Sequence, residues 1–169
     1  MTTRIRKEPS GSFFYSRGFS IVELVAIILV VGIISVVATT RISSGFADTR
    51  SCYDQLLSQV QYARKAAIAQ RRSVFVRMDA GQSRLCYSAA GACTGADAVA
   101  APNGAVPFRV AFPASVAVGA TATTFQFDAL GRYRSAAGAA TAAPNVVTVT
   151  GDGGLQFRVE HDTGYVRSS

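Results

Sequence analysis

Residues 19–38 form an apolar run broken by one charge, Glu23. Twenty residues at about 1.5 Å each span roughly 30 Å, the thickness of a bilayer's hydrocarbon core, so the run predicts a membrane-spanning helix. Beyond residue 40 the pattern changes. Ile42, Phe46, Thr49, Tyr53, Leu56, Val60, Ala63 and Ala67 recur at alternating steps of four and three. That spacing lines one stripe of an amphipathic helix. Polar residues fill the other face, among them Asp48, Arg50, Asp54, Gln59, Arg64 and Lys65. No proline falls within 19–72. Gly32 and Gly45 are the weak points, each costing about 1 kcal/mol relative to Ala. The pattern predicts one long helix over about 19–72, apolar all round in residues 19–40 and one-sided in residues 41–72. The second half suits either a sheet of its own domain or a coiled coil. The stripe thins to alanine by Ala63 and strand patterns follow, which favours the sheet.

Residues 73–169 read as a run of short antiparallel strands, with candidates at 74–78, 84–87, 106–112, 115–118, 123–128, 145–150, 155–160 and 165–167. Asp79-Ala80-Gly81-Gln82 reads as a turn, and Gly131, Gly138, Gly151, Gly153-Gly154 and Gly164 punctuate the rest. Phe125, Phe127 and Leu130 fit one side of a hairpin. Val147, Val149, Leu155, Phe157 and Val159 fit another. Residues 135–144, SAAGAATAAP, read as a flexible surface loop. The fold class is α+β: a long N-terminal helix packed on an antiparallel sheet domain.

Charge orients the chain. Arg4, Arg6, Lys7 and Arg17 precede the apolar run against Glu8 alone, so the positive-inside rule keeps that tail cytoplasmic and exports the remainder. The expected topology is single-pass in a bacterial inner membrane, with residues 41–169 periplasmic. Val36-Val37-Ala38 also resembles an ordinary signal-cleavage site, but the apolar run is longer than a signal core of about 7–15 residues. The formal net charge of +7 permits contact with nucleic acid or a membrane surface, or simply marks an arginine-rich soluble face. Of the three cysteines, Cys86 and Cys93 flank a small-residue loop. Outside the cytoplasm they suit a disulfide, and otherwise they are two buried thiols; Cys52 is left over.

The sequence holds no GxSxG, P-loop or HExxH and only one histidine, so no enzyme, cofactor or metal site is expected. His161 stands between Glu160 and Asp162, but neighbours in a strand point to opposite faces and would not converge on an ion. Asp152 in Gly151-Asp152-Gly153-Gly154 reads as a hairpin turn residue rather than a calcium ligand.

The stretch Gly18-Phe19-Ser20-Ile21-Val22-Glu23-Leu24, after a basic leader and before an apolar run, resembles the processing site of type IV prepilins. The resemblance implies a type IV pilin fold and a leader of residues 1–18. It also implies a prepilin peptidase cut between Gly18 and Phe19, and N-methylation of Phe19. The cut would remove four cationic residues and one acidic one, a net +3, so +7 would fall to +4. Glu23 would then neutralise a neighbouring subunit's amino terminus in the apolar filament core, where opposite charges attract strongly. A carboxylate that merely snorkels or is protonated is the alternative. Residues 61–74, Phe127-Asp128-Ala129-Leu130-Gly131-Arg132 and residues 159–167 are similar to the minor pilin and pseudopilin class called GspH/FimT. Within it, the chain looks most like the minor pilin of the mannose-sensitive haemagglutinin pilus. The implied role is a structural subunit that primes or enters a type IV pilus or a type II secretion pseudopilus. Its implied partners are other pilins, the peptidase and an inner-membrane assembly platform. Some members of the class bind DNA through C-terminal arginines, for which Arg132, Arg134, Arg158 and Arg167 are the candidates here. An inner-membrane anchored protein unrelated to filaments is the third reading.

Overall fold

The computed structural model describes residues 20–39 and 44–169, in a chain that divides into two units, residues 1–42 and 43–169. In the first unit, helix α1 covers Ile21–Thr39. Ser20 caps it: the Val22 N–H donates to Ser20 Oγ at 3.3 Å, and the Leu24 N–H donates to the Ser20 carbonyl at 3.1 Å. Glu23 lies in the first turn, where the helix dipole favours a carboxylate. Ser20-x-x-Glu23 thus has the spacing of a capping box. Among the described residues no helix is long and apolar enough to cross a membrane. The expected leader of residues 1–18, the expected Gly18-Phe19 cleavage junction, Ile42 and the expected helix continuity through residues 40–43 all lie outside the described residues.

The second unit holds α2 (Ser44–Gln70) and nine strands. One sheet has the order β3-β2-β1-β5-β6, from β1 (Val74–Asp79), β2 (Gln82–Cys86), β3 (Arg109–Ala111), β5 (Thr124–Phe127) and β6 (Tyr133–Ser135). The other has the order β4-β7-β8-β9, from β4 (Ala117–Ala120), β7 (Asn145–Gly151), β8 (Gly153–Val159) and β9 (Val166–Ser168). Every pairing is antiparallel. The expected β domain is therefore two sheets rather than one, with α2 laid across both.

The predicted stripe is the buried face of α2. Thr49, Tyr53, Leu56, Val60, Ala63 and Ala67 are all buried. They meet Val74, Val76, Leu85, Phe125 and Phe127 of one sheet and Val147, Val149, Phe157 and Val159 of the other. Each large apolar side chain buried here contributes about 1.5–3 kcal/mol. Edge-to-face ring pairs, Tyr53–Phe157 and Phe125–Phe127, add orientation. Phe46 departs from the expected stripe: it lies beside the β7–β8 turn and stays 56 % exposed.

Helix α2 stops at Gln70, two residues before the expected end. The Arg72 N–H donates to the Ala67 carbonyl and the Arg71 N–H to that of Ile68, a closing pattern that requires Arg71 in the left-handed region, at φ +51°. The strand expected over 106–112 contracts to β3, because Pro107 has no N–H to give a ladder. Strand β6 is an addition, and Leu130, expected on the inner side of a hairpin, is exposed at a turn. The pairs Val147↔Phe157 and Val149↔Leu155 match the second expected hairpin. Asp152 does occupy the tight β7–β8 turn, between paired Gly151 and Gly153.

Candidate functional site

The turn after β5 is built by Asp128. Its Oδ1 accepts from the N–H groups of Leu130 at 3.0 Å and Arg132 at 2.9 Å. Its Oδ2 accepts from the guanidinium Nε of Arg132 at 2.9 Å and of Arg134 at 3.2 Å. Burial pulls the Asp128 carboxyl up, but these donors outweigh it and hold the group below the usual aspartate value. The chain can then reverse at Gly131, φ +75°.

Gly131 lies under α2. The Arg64 Nε donates to its carbonyl at 3.2 Å, and a side chain on Gly131 would meet the end of Ile68. From the other side comes the turn between β8 and β9. Its Gly164, φ +62°, approaches so closely that a Cβ there would fall on the Gly131 carbonyl. The Gly164 N–H donates to the Glu160 carbonyl and the Glu160 N–H to that of Tyr165, both at 2.9 Å. Two sequence motifs that start 32 residues apart, Asp128-Ala129-Leu130-Gly131-Arg132 and Glu160-His161-Asp162-Thr163-Gly164-Tyr165, thus meet at one point beneath α2. The junction joins the two sheets to the helix.

Around it lie Gln61, Arg64, Lys65, Tyr165 and Val166, which line a shallow cavity of about 220 Å³. Nothing in this arrangement activates a nucleophile or gathers ligands. His161 and Asp162 stand in a turn rather than a strand, so the alternation argument does not apply, and they touch at 3.0 Å. Glu160 turns away to Arg167 at 3.2 Å.

The four C-terminal arginines fall into two groups. Arg132 and Arg134 share Asp128. Arg158 and Arg167 are register partners across β8 and β9. Arg167 pairs with Glu160, while Arg158 donates to Ser169 Oγ at 3.5 Å. Cys86 and Cys93 form a disulfide with Cα atoms 5.3 Å apart. Cys52 is a free, buried thiol whose pKa burial pushes up. The sequence marks Arg64 only as a polar-face residue and Asp128 only as part of a motif, gives neither a role at this junction, and does not single out Ile68. The Asp-x-x-Gly turn spacing was the available sign for Asp128.

A helix laid across two antiparallel sheets and tied to them by short turns is also the fold of solved structures that this chain resembles. The type IV minor pilin FimU of Pseudomonas aeruginosa is 18% identical, with a TM-score of 0.51 over 73% of this chain and 89% of that one. The minor pseudopilin EpsH from the type 2 secretion system of Vibrio cholerae is 11% identical, with a TM-score of 0.50 over 70% of this chain and 93% of that one. The family model of GspH, described as type II transport protein GspH, matches residues 53–163. The chain belongs to the GspH family. No curated protein matches it in sequence.

Proposed function

We propose that the chain is a minor pilin-type subunit, processed between Gly18 and Phe19 and N-methylated on Phe19. Residues 1–18 are the leader, residues 19–40 the membrane and filament-core segment, and residues 41–169 the periplasmic domain. Glu23 then joins subunits by pairing with a neighbour's amino terminus. The observation that carries this reading is the GspH domain over 53–163 behind a capped apolar helix whose first turn holds Glu23. A buried lone carboxylate is costly, so Glu23 has use in an apolar environment only with a cationic partner. The machine is a type IV pilus or a type II secretion pseudopilus, and the mannose-sensitive haemagglutinin resemblance rests on sequence alone.

The test is co-expression with a prepilin peptidase. Mass spectrometry should find a mature chain beginning at methylated Phe19. Glu23→Ala should leave membrane insertion intact and abolish incorporation into filaments. An unshortened chain would favour the third reading, an anchored protein unrelated to filaments.

A DNA-uptake role has one observation in its favour, the cross-strand pair Arg158–Arg167 on the outer face of the second sheet. Against it, Arg132, Arg134 and Arg167 already hold carboxylates. Duplex DNA titrated over a salt series decides: a steep loss of affinity with salt supports DNA contact, and no binding near physiological ionic strength removes it.

A further inference from the structure

The two sheets have four edge strands, β3 and β6 on the first and β4 and β9 on the second. An edge leaves main-chain N–H and C=O groups unpaired, and natural edges are blunted by shortness, charge or cover. Strand β3 is three residues long, carries Arg109 and follows closely on Pro107. Strand β6 is three residues long and carries Arg134. Its Ser135 N–H donates to the Ala139 carbonyl, and the Ser135 carbonyl accepts from the Gly138 N–H, so its own loop covers it. Strand β9 is three residues long and carries Arg167. Strand β4 differs from all three. It reads Ala117-Val118-Gly119-Ala120, and no charged residue occurs from Val110 to Phe127.

The register of β4 shows which groups face outward. The Thr121 N–H donates to the Val146 carbonyl at 3.0 Å. Antiparallel alternation then turns the main chain of Ala117 and Gly119 toward β7, and that of Val118 and Ala120 away from it. No hydrogen bond among the described residues reaches the N–H or C=O of Val118 or Ala120.

Beside this edge the two sheets part. The pairing of β1 with the β5 chain ends where the Met78 N–H donates to the Thr123 carbonyl at 2.8 Å. From there β1 runs into the turn Asp79-Ala80-Gly81-Gln82, while the other chain crosses to β7 as β4. A cleft of about 340 Å³ lies between them, with Val118 on one wall and Ala80, Gly81, Phe112, Pro113 and Val116 around it. Its one charged lining residue is Asp79, which is paired with Arg84. Asp48, farther along, accepts from the Ser115 hydroxyl at 3.1 Å.

We propose that β4 and this cleft form a docking site for an extended, uncharged segment of another protein, which adds to the second sheet as a strand. Every second residue of the segment exchanges N–H and C=O bonds with Val118 and Ala120. A side chain of the segment fills the cleft against Pro113 and Val116, where a charge would lose water and gain no partner. The β1–β2 turn and Pro113 stand along the edge as walls, which leaves room for a single strand rather than the edge of a second sheet. The inference goes beyond the subunit reading and does not depend on cleavage at Gly18.

The test uses the full chain in detergent and, as probe, a short capped peptide of alternating valine and threonine. Amide exchange is followed residue by residue. Without peptide, Val118 and Ala120 should exchange fast and Gly119 slowly. With saturating peptide, Val118 and Ala120 should slow by about tenfold, and Gly119 should not change. The same peptide N-methylated at every amide has no donors and should give no slowing. Val118→Pro removes an N–H that β7 does not use, so the strand should survive and the slowing at Ala120 should be lost. Ala120→Pro is the second variant, read at Val118. Retention of the Cys86–Cys93 disulfide and slow exchange at Leu56 and Val60 report that each variant is folded. The proposal is overturned if millimolar peptide slows nothing in the parent chain, or if slowing persists with the methylated peptide or in both folded variants. It is also overturned if Val118 slows with rising concentration of the chain alone, which would give the edge to a second copy.

Discussion

Gly164 rests on the carbonyl of Gly131, closer than any side chain would allow. Both residues have positive φ, but their surroundings differ. At Gly164 an added methyl meets backbone, which has no room to retreat. At Gly131 it meets the tip of Ile68, which is partly exposed and free to swing away. Gly164→Ala should therefore cost about 2–3 kcal/mol and lower the melting temperature by roughly 5–10 °C. Gly131→Ala should cost about 1–2 kcal/mol, the backbone strain alone. Thermal denaturation of the two variants checks the order, and equal losses would contradict the backbone contact.

Asp128 stabilises the same junction in a pH-dependent way. Its carboxyl is held below the ordinary aspartate value of 3.8 in the folded chain. A depressed folded value means that the unfolded chain binds the proton more readily. The contribution is thus present above pH 3.8 and lost as the pH falls through the lower folded value. Asp128→Asn should cost about 1–3 kcal/mol at neutral pH, since it weakens charge-assisted bonds to Arg132 and Arg134. Melting curves of the two proteins should converge as the pH falls through that lower folded value. A gap that persists there would assign the loss to something other than the charge.

A polar seam runs through the core at Gln59 and Ser83. Gln59 is wholly buried, and its Nε2 donates to the Phe108 carbonyl at 3.1 Å and reaches that of Ser83 at 3.4 Å. Gln59 Oε1 and Ser83 Oγ have no partner. A buried hydroxyl without a partner costs about 1–3 kcal/mol, so Ser83→Ala should be neutral or stabilising, by up to about 1 kcal/mol. Gln59→Leu keeps the volume and should cost less than about 1.5 kcal/mol, since the Phe108 carbonyl still accepts from the Leu85 N–H. Gln59→Ala opens a cavity and should cost about 2–4 kcal/mol. Chemical denaturation of the three variants gives the ranking.

The helix stripe and the β8 hairpin were legible because each repeats one physical rule over many residues. Thr49 through Ala67 keep a helical period, and Val147, Val149, Phe157 and Val159 keep the strand period. Leu130 broke the expectation because its hydrophobicity says nothing about which way a turn points. Strand β6 is three residues long and has no pattern to read. Gly131 and Gly164 were each visible as turn glycines. That they touch was not, because contacts between distant turns depend on how the two sheets lie under α2. The arginines were equally ambiguous: composition counts their charge, whereas Asp128 and Glu160 decide how much of it is free.

The disulfide closes a loop of only seven residues' separation, yet it holds more than its own ends. Arg77 from β1 reaches across to the Gly91 carbonyl at 2.6 Å inside that loop. Tyr87, next to Cys86, lies under the Arg72 guanidinium at 3.5 Å from the ring centre, and its hydroxyl donates to Gln70 Oε1 at 2.6 Å. The loop therefore anchors the end of α2. Loop-closure entropy for so short a ring amounts to about 2–3 kcal/mol. Paired Cys86→Ala and Cys93→Ala substitution should lower stability by that amount. It should also raise amide exchange at Ala69, Gln70 and Arg71 before it affects Leu56 or Val60, because local opening follows the lost anchor. Hydrogen exchange with and without reductant on the parent chain should give the same pattern. Uniform loss of protection along α2 would instead mean that the loop stabilises the domain only through its own closure.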